Sequence, residues 1–101
     1  AMSDVSVTIR EERGAGRGRF IGTVEGADGE AEITFSIVND GLIIADHTGV
    51  PDSMRGMGVG QKLVAHMVDA ARAGQFRIVP LCPFVNAQRQ RHKEWADVFQ
   101  V

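Results

Sequence analysis

The sequence predicts a single α+β domain in which an antiparallel four-stranded meander is joined, through a helix crossover, to a parallel fifth strand. Three observations carry this. Apolar and polar residues alternate along much of the first 45 positions, the period-two signature of half-buried strands. From Val59 the period lengthens to that of a helix. Val59, Leu63, Val64, Met67, Val68 and Ala71 fall on one side, with Gln61, Lys62, Asp69 and Arg72 on the other. A further apolar run, 76–81, follows that helix, and a strand reached through a helix pairs parallel with the strand before it.

In chain order, Val5, Val7 and Ile9 alternate with Ser6, Thr8 and Arg10 as the first strand. The polar, Gly-rich segment 11–18 reads as a flexible loop, and 19–24 as a second strand ended by Gly26-Ala27-Asp28-Gly29. In the third, Ile33, Phe35 and Ile37 share one face while Glu32, Thr34 and Ser36 share the other. Asn39-Asp40-Gly41 is a hairpin turn, since these residues tolerate positive φ. Leu42-Ile43-Ile44-Ala45 is apolar on both faces and reads as a central strand. Gly74 is the expected helix stop, and short C-terminal helices are expected over 83–99.

Composition bounds the function. With 44% hydrophobic and 24% charged residues among 101, one globular domain is expected and a second has no room. Ala1-Met2 reads as a cloning remnant and the start methionine, so the domain is taken as 3–101. A net charge of -2 argues against a nucleic-acid or membrane-surface binder. No apolar run approaches the ~20 residues of a membrane span, and no leader is read at the start. The single Cys82 excludes an internal disulfide and suits a reducing, cytoplasmic setting. Three scattered histidines and one cysteine lack ligand spacing, so no metal is expected.

Two glycine clusters raise the question of a phosphate site. Such a site needs successive backbone N–H groups aimed at one place beside a helix N-terminus. Gly14, Gly16 and Gly18 lead into a strand and read as a hairpin loop. Gly56, Gly58 and Gly60 link a strand directly to the amphipathic helix. Their spacing is neither a dinucleotide fingerprint, because Gln61 stands where the third glycine belongs, nor a Walker loop, because Gly-Lys-Ser/Thr is absent. A tight strand-to-helix connection remains the plain alternative.

Arg55-Gly56-Met57-Gly58-Val59-Gly60 resembles the Arg/Gln-x-x-Gly-x-Gly/Ala signature of the GNAT superfamily of N-acetyltransferases. His47-Thr48-Gly49-Val50-Pro51 before it and Pro80-Leu81-Cys82-Pro83-Phe84-Val85 after it resemble the small YjdJ-type branch, as does His92-Lys93-Glu94-Trp95, with Trp for the usual Tyr. The resemblance spans roughly 19–98. It implies a minimal GNAT-like fold, binding of acetyl-CoA or coenzyme A, and transfer of the acetyl group to an amine acceptor, small molecule or protein. The protein would act as a monomer or homodimer. Gly49 departs from the branch, where an acidic residue is usual, and Asn86 stands where small residues are commoner. Segment 11–18 replaces the helical pair that covers the acceptor in larger relatives, so an open acceptor side is implied.

On this resemblance the N–H groups of Met57, Gly58, Val59, Gly60 and Gln61 would hold the pyrophosphate, with Arg55 and Gly56 beside them. The backbone of Thr48, Gly49 and Val50 would run along the pantetheine like an added strand. Arg89, Arg91 and Lys93 could meet the adenosine phosphate, although a basic run is more often a solvated face. Pro83 suits the first position of a helix, which makes Cys82 its N-cap, where the helix dipole favours a thiolate. Cys82 would then carry the acetyl group or act as general acid, unless it is a buried structural residue. His47, ending the central strand, is the candidate base. His66 and His92 read as surface and anchoring residues. The alternatives to an enzyme are a non-catalytic acyl-CoA-binding module and a thiol-based sensor centred on Cys82.

Overall fold

The computed structural model describes residues 5–101, and the reading of Ala1-Met2 lies outside them. Strands β1 (Val7–Arg13), β2 (Arg17–Val24), β3 (Ala31–Asn39) and β4 (Leu42–Gly49) form the meander. Helix α1 (Val59–Gly74) crosses to β5 (Arg77–Val79), and α2 (Pro83–Arg91) and a single 3-10 turn, Lys93–Trp95, follow. The sheet order is β1-β2-β3-β4-β5, with three antiparallel junctions and a parallel last one. This is the α+β architecture the hydrophobic periods imply.

The first hairpin departs from expectation. Segment 11–18 is mostly strand: Glu12 stands opposite Arg19 and Arg13 opposite Gly18, leaving a three-residue turn, Gly14-Ala15-Gly16. Glu and Arg lack strong strand propensity, but cross-strand charge pairs stabilise a ladder. Arg19 reaches Glu12 at 2.9 Å and Glu32 at 2.8 Å, which holds the Glu12 carboxyl below its usual range. β5 is shorter than the apolar run 76–81, since Pro80 has no N–H to give a ladder. Gly74 is the last helical residue rather than the left-handed cap. That conformation falls on Gln75 at φ 57°, whose N–H bonds the Ala71 carbonyl. Gly74 is small because a Cβ there would lie 3.0 Å from the Phe76 ring.

Both helices pack on one face of the sheet. Leu63, Val64, Met67 and Val68 of α1 and Val85 of α2 bury Phe20, Ile33, Phe35, Ile43, Ala45 and Ile78 in one core. The C-terminal segment continues the sheet beyond β5. The Ile78 N–H donates to the Val98 carbonyl and the Gln100 N–H to the Ile78 carbonyl, both at 2.8 Å. Arg72 of α1 secures that segment through Asp97 at 2.9 Å and the Glu94 carbonyl at 2.8 Å.

The opposite face carries no helix among the described residues. Ile21 is nonetheless fully buried there, between its ladder partners Arg10 and Glu32. Ion pairs Arg10–Glu30 at 2.9 Å and Arg19–Glu32 bracket it. No described helix is long and apolar enough to cross a membrane.

Candidate functional site

After β4 the chain turns at Pro51 into a 3-10 turn, Asp52–Met54, pinned by the fully buried Met54. Gly56 at φ 81° and Gly58 at φ 74° then adopt left-handed backbone, a region L side chains resist by roughly 1–2 kcal/mol. Gly58 is the N-cap of α1, and no side chain caps the helix. The ladder begins with the Lys62 N–H on the Gly58 carbonyl at 3.1 Å. The N–H groups of Val59, Gly60 and Gln61 therefore have no intrahelical acceptor. They open on a groove of about 330 Å³ lined by Val50, Arg55, Gly58, Gln61 and Phe84 among others. The Met57 N–H, expected among the donors, is already given to the Met54 carbonyl at 3.2 Å.

Gly60 serves a different need. A Cβ there would lie 2.9 Å from Cζ of Phe84, so its absence lets the α2 N-terminus close against that of α1. Arg55 pairs with Asp52 at 2.6 Å, with side chains 79% and 90% exposed. Such pairs are typically worth about 0–1 kcal/mol, so Arg55 is free to turn toward an anion in the groove.

Strand β4 runs past its partner. β5 stays in register only to Ile44–Val79, then one bond, the Cys82 N–H to the Ala45 carbonyl at 2.8 Å, closes the pairing. Beyond it the strand from Asp46 to Gly49 keeps β3 on one side and presents a free backbone edge on the other. Cys82 is the N-cap of α2 with Pro83 at the first helical position, as the sequence indicates, and is 3% exposed. Its Sγ lies 3.3 Å from Oγ1 of Thr48, which pairs with core-facing Ile33 and so shares the helix-covered face. His47 pairs with Thr34 and points to the uncovered face, with Nε2 folded back to 3.7 Å from where a Gly49 Cβ would stand. The two residues expected to do chemistry thus flank β4 from opposite sides.

Asp46 carries no assignment in the sequence reading. It is the extra residue of a bulge, since Phe35 faces Ala45 and Thr34 faces His47. A bulge re-aims side chains, and it sets Asp46 and His47 together on the uncovered face. Ser36 Oγ donates to Asp46 Oδ2 at 2.7 Å. Both line a second groove of about 580 Å³ that runs to the first hairpin. Only the register reveals a bulge, so alternating letters could not show it. The basic run lies elsewhere: Arg89 bonds Asn86 at 2.8 Å and lines, with Lys93, a hollow at the far end of α2, away from the glycine loop. His66 is exposed with its ring edge on Phe20, and His92 stacks on Trp95 at 4.0 Å while bonding Glu94.

Three uncapped amides, two left-handed glycines that shape their approach, and a free strand edge fit a diphosphate joined to an amide-bearing chain, as in coenzyme A. Comparison with known proteins gives the family. A family model described as GCN5-related N-acetyltransferase matches residues 19–98. A solution structure of a GCN5-like candidate N-acetyltransferase from Staphylococcus aureus superposes with a TM-score of 0.64 at 30% identity, covering 98% of this chain and 91% of that one. No curated protein matches the chain. The chain therefore belongs to the GCN5-related N-acetyltransferase superfamily, with a minimal GNAT-like fold.

Proposed function

We propose that this protein transfers an acetyl group from acetyl-CoA to a primary amine, as a cytoplasmic enzyme. The observation that carries the reading is the uncapped start of α1, continuous with the free edge of β4. The amides of Val59, Gly60 and Gln61 hold the diphosphate with help from the helix dipole, and Arg55 adds charge. The backbone of Thr48, Gly49 and Val50 holds the pantetheine arm as a strand would, and Pro83 and Phe84 close its other side.

Bound acetyl-CoA supplies an acyl group activated as a thioester. The amine approaches from the uncovered face, where His47 accepts the proton it sheds. Free N–H groups on the β4 edge stabilise negative charge on the acyl oxygen. On the helix-covered side, Cys82 holds a proton at Sγ for the departing sulfur, oriented by the Thr48 hydroxyl. Burial of Cys82 suits that role better than exchange with bulky thiols, which counts against a surface sensor.

Thermal denaturation with coenzyme A, acetyl-CoA and phosphate tests the binding step. A ligand at a hundred times its Kd adds about 2.7 kcal/mol, so melting should rise with both coenzymes and far less with phosphate. A flat response to both coenzymes refutes the reading. A rise without coenzyme A release from any amine leaves a non-catalytic acyl-CoA-binding module instead.

A further inference from the structure

The larger groove is not needed to hold coenzyme A, yet it begins where the two substrates would meet. Its floor is the uncovered sheet face between the first hairpin and the β4 bulge. At the bulge end stands Asp46. One carboxylate oxygen takes the Ser36 hydroxyl, leaving the other without a hydrogen-bond partner among the described side chains. Asp46 adjoins Ala45, whose carbonyl closes the β4–β5 pairing against Cys82, so that end of the groove adjoins the point where the strands part.

The opposite end is cationic. Arg17 stands across from Ser36 in the β2–β3 ladder and makes no ion pair or side-chain hydrogen bond among the described residues. Arg13 leans over the Phe35 ring at 5.4 Å and is held only through Nε, by Glu11 at 2.8 Å. Arg19 differs, because Glu12 and Glu32 occupy it. The groove thus offers one carboxylate beside the strand split and one uncommitted guanidinium, that of Arg17, at its far lip. Two strand intervals, about 10 Å of backbone, separate Arg17 from Asp46, and both residues line the groove between them. A second ammonium would be repelled at the lip, and an uncharged tail would leave the Arg17 guanidinium unused.

We infer that this groove selects an acceptor amine bearing an anionic group a few carbons away, with the amine held at Asp46 and the anion at Arg17. The inference rests on the acetyl-transfer reading for its purpose, but the binding it describes is separately measurable. The amine lies beside His47, which takes its proton, while Arg17 fixes the other end by charge-assisted, bidentate hydrogen bonds.

Three four-carbon amines isolate the charge: 4-aminobutanoate, 1-butylamine and 1,4-diaminobutane. Each is titrated into isotopically labelled protein and followed by backbone amide resonances. 4-Aminobutanoate should perturb Arg17, Ser36 and Asp46 and bind about tenfold or more tightly than the other two. Arg17→Gln, an exposed change, should bring it down to the level of butylamine, and Asp46→Asn should weaken all three. Equal or tighter binding of butylamine or the diamine overturns the inference, as does the absence of any perturbation at those three residues. Coenzyme A in a parallel sample reports on Gly58, Gly60 and Gln61. Silence there with 4-aminobutanoate bound in the groove supports the anionic-amine site and refutes the transferase reading. The converse pattern overturns the site alone.

Discussion

Gly56, Gly58 and Gly60 look alike in the sequence and do different work. The first two supply left-handed backbone at the helix entrance, whereas Gly60 sits in an ordinary helical turn and is small because Phe84 is large. Placing a methyl 2.9 Å from a ring carbon in a packed site costs about 1–3 kcal/mol. Gly60→Ala should therefore lower stability to urea by that order and loosen coenzyme A binding, because the α2 N-terminus must move away. Adding Phe84→Leu should recover most of the lost stability, with Phe84→Leu alone as the control. If the double variant is no more stable than Gly60→Ala, the close approach is not what fixes this glycine. Gly58→Ala should lose roughly 1–2 kcal/mol with no such rescue, since its strain is in the backbone.

The C-terminal segment shows how one element is held by another. Arg72 of α1 binds Asp97, and this partner holds the Asp97 carboxyl below its ordinary value of 3.8. A carboxyl depressed in the folded state contributes stability fully above its unfolded value, and that contribution is lost as pH falls through the folded value. Asp97→Asn should thus melt at a lower temperature than the parent from neutral pH down to about 4, with the gap closing below that. Glu94, lowered chiefly by its hydrogen bond to His92, acts in the same direction. Amide exchange at Ile78 and Gln100, whose N–H groups tie this segment to β5, should quicken in Asp97→Asn. A temperature gap that stays constant down to pH 2 would rule out the ion pair as its source. The elements most legible from sequence are those whose signal is local. The α1 stripe is one, and the Asn39-Asp40-Gly41 turn is another, where Asn39 Oδ1 accepts the Gly41 N–H at 2.8 Å. Segment 11–18 was hidden because its strands depend on Arg19 bonding Glu12 and Glu32 across the sheet. The loop glycines and the N-cap position of Cys82 were visible, but the Asp46 bulge was not, because a bulge is a property of two strands in register.

At the scale of the whole molecule, the sheet is a partition. The helices leave one face buried, with Cys82 and Thr48 on that side of β4, and leave the other bare, with Asp46 and His47 on it. On the proposed reaction, two substrates brought from opposite sides would meet at the edge where β4 and β5 part, and neither would have to leave before the other enters. A relay through Cys82 would need the thiol to reach the amine on the far side of the strand, while it is buried and hydrogen-bonded to Thr48. Initial rates should therefore give intersecting double-reciprocal lines against acetyl-CoA and amine, and acetyl-CoA alone should leave no acetyl group on Cys82 by mass spectrometry. General acid–base residues are typically worth about 10²–10⁴ in rate. His47→Gln should lower kcat by about a hundredfold or more, leave the KM for acetyl-CoA unchanged, and regain rate as pH rises and hydroxide substitutes for the base. Cys82→Ser, which keeps a proton donor beside Thr48, should fall less than Cys82→Ala. Parallel lines together with an acetylated Cys82 would show instead that the acetyl group crosses the sheet on the protein, and the partition would then separate two half-reactions rather than two substrates.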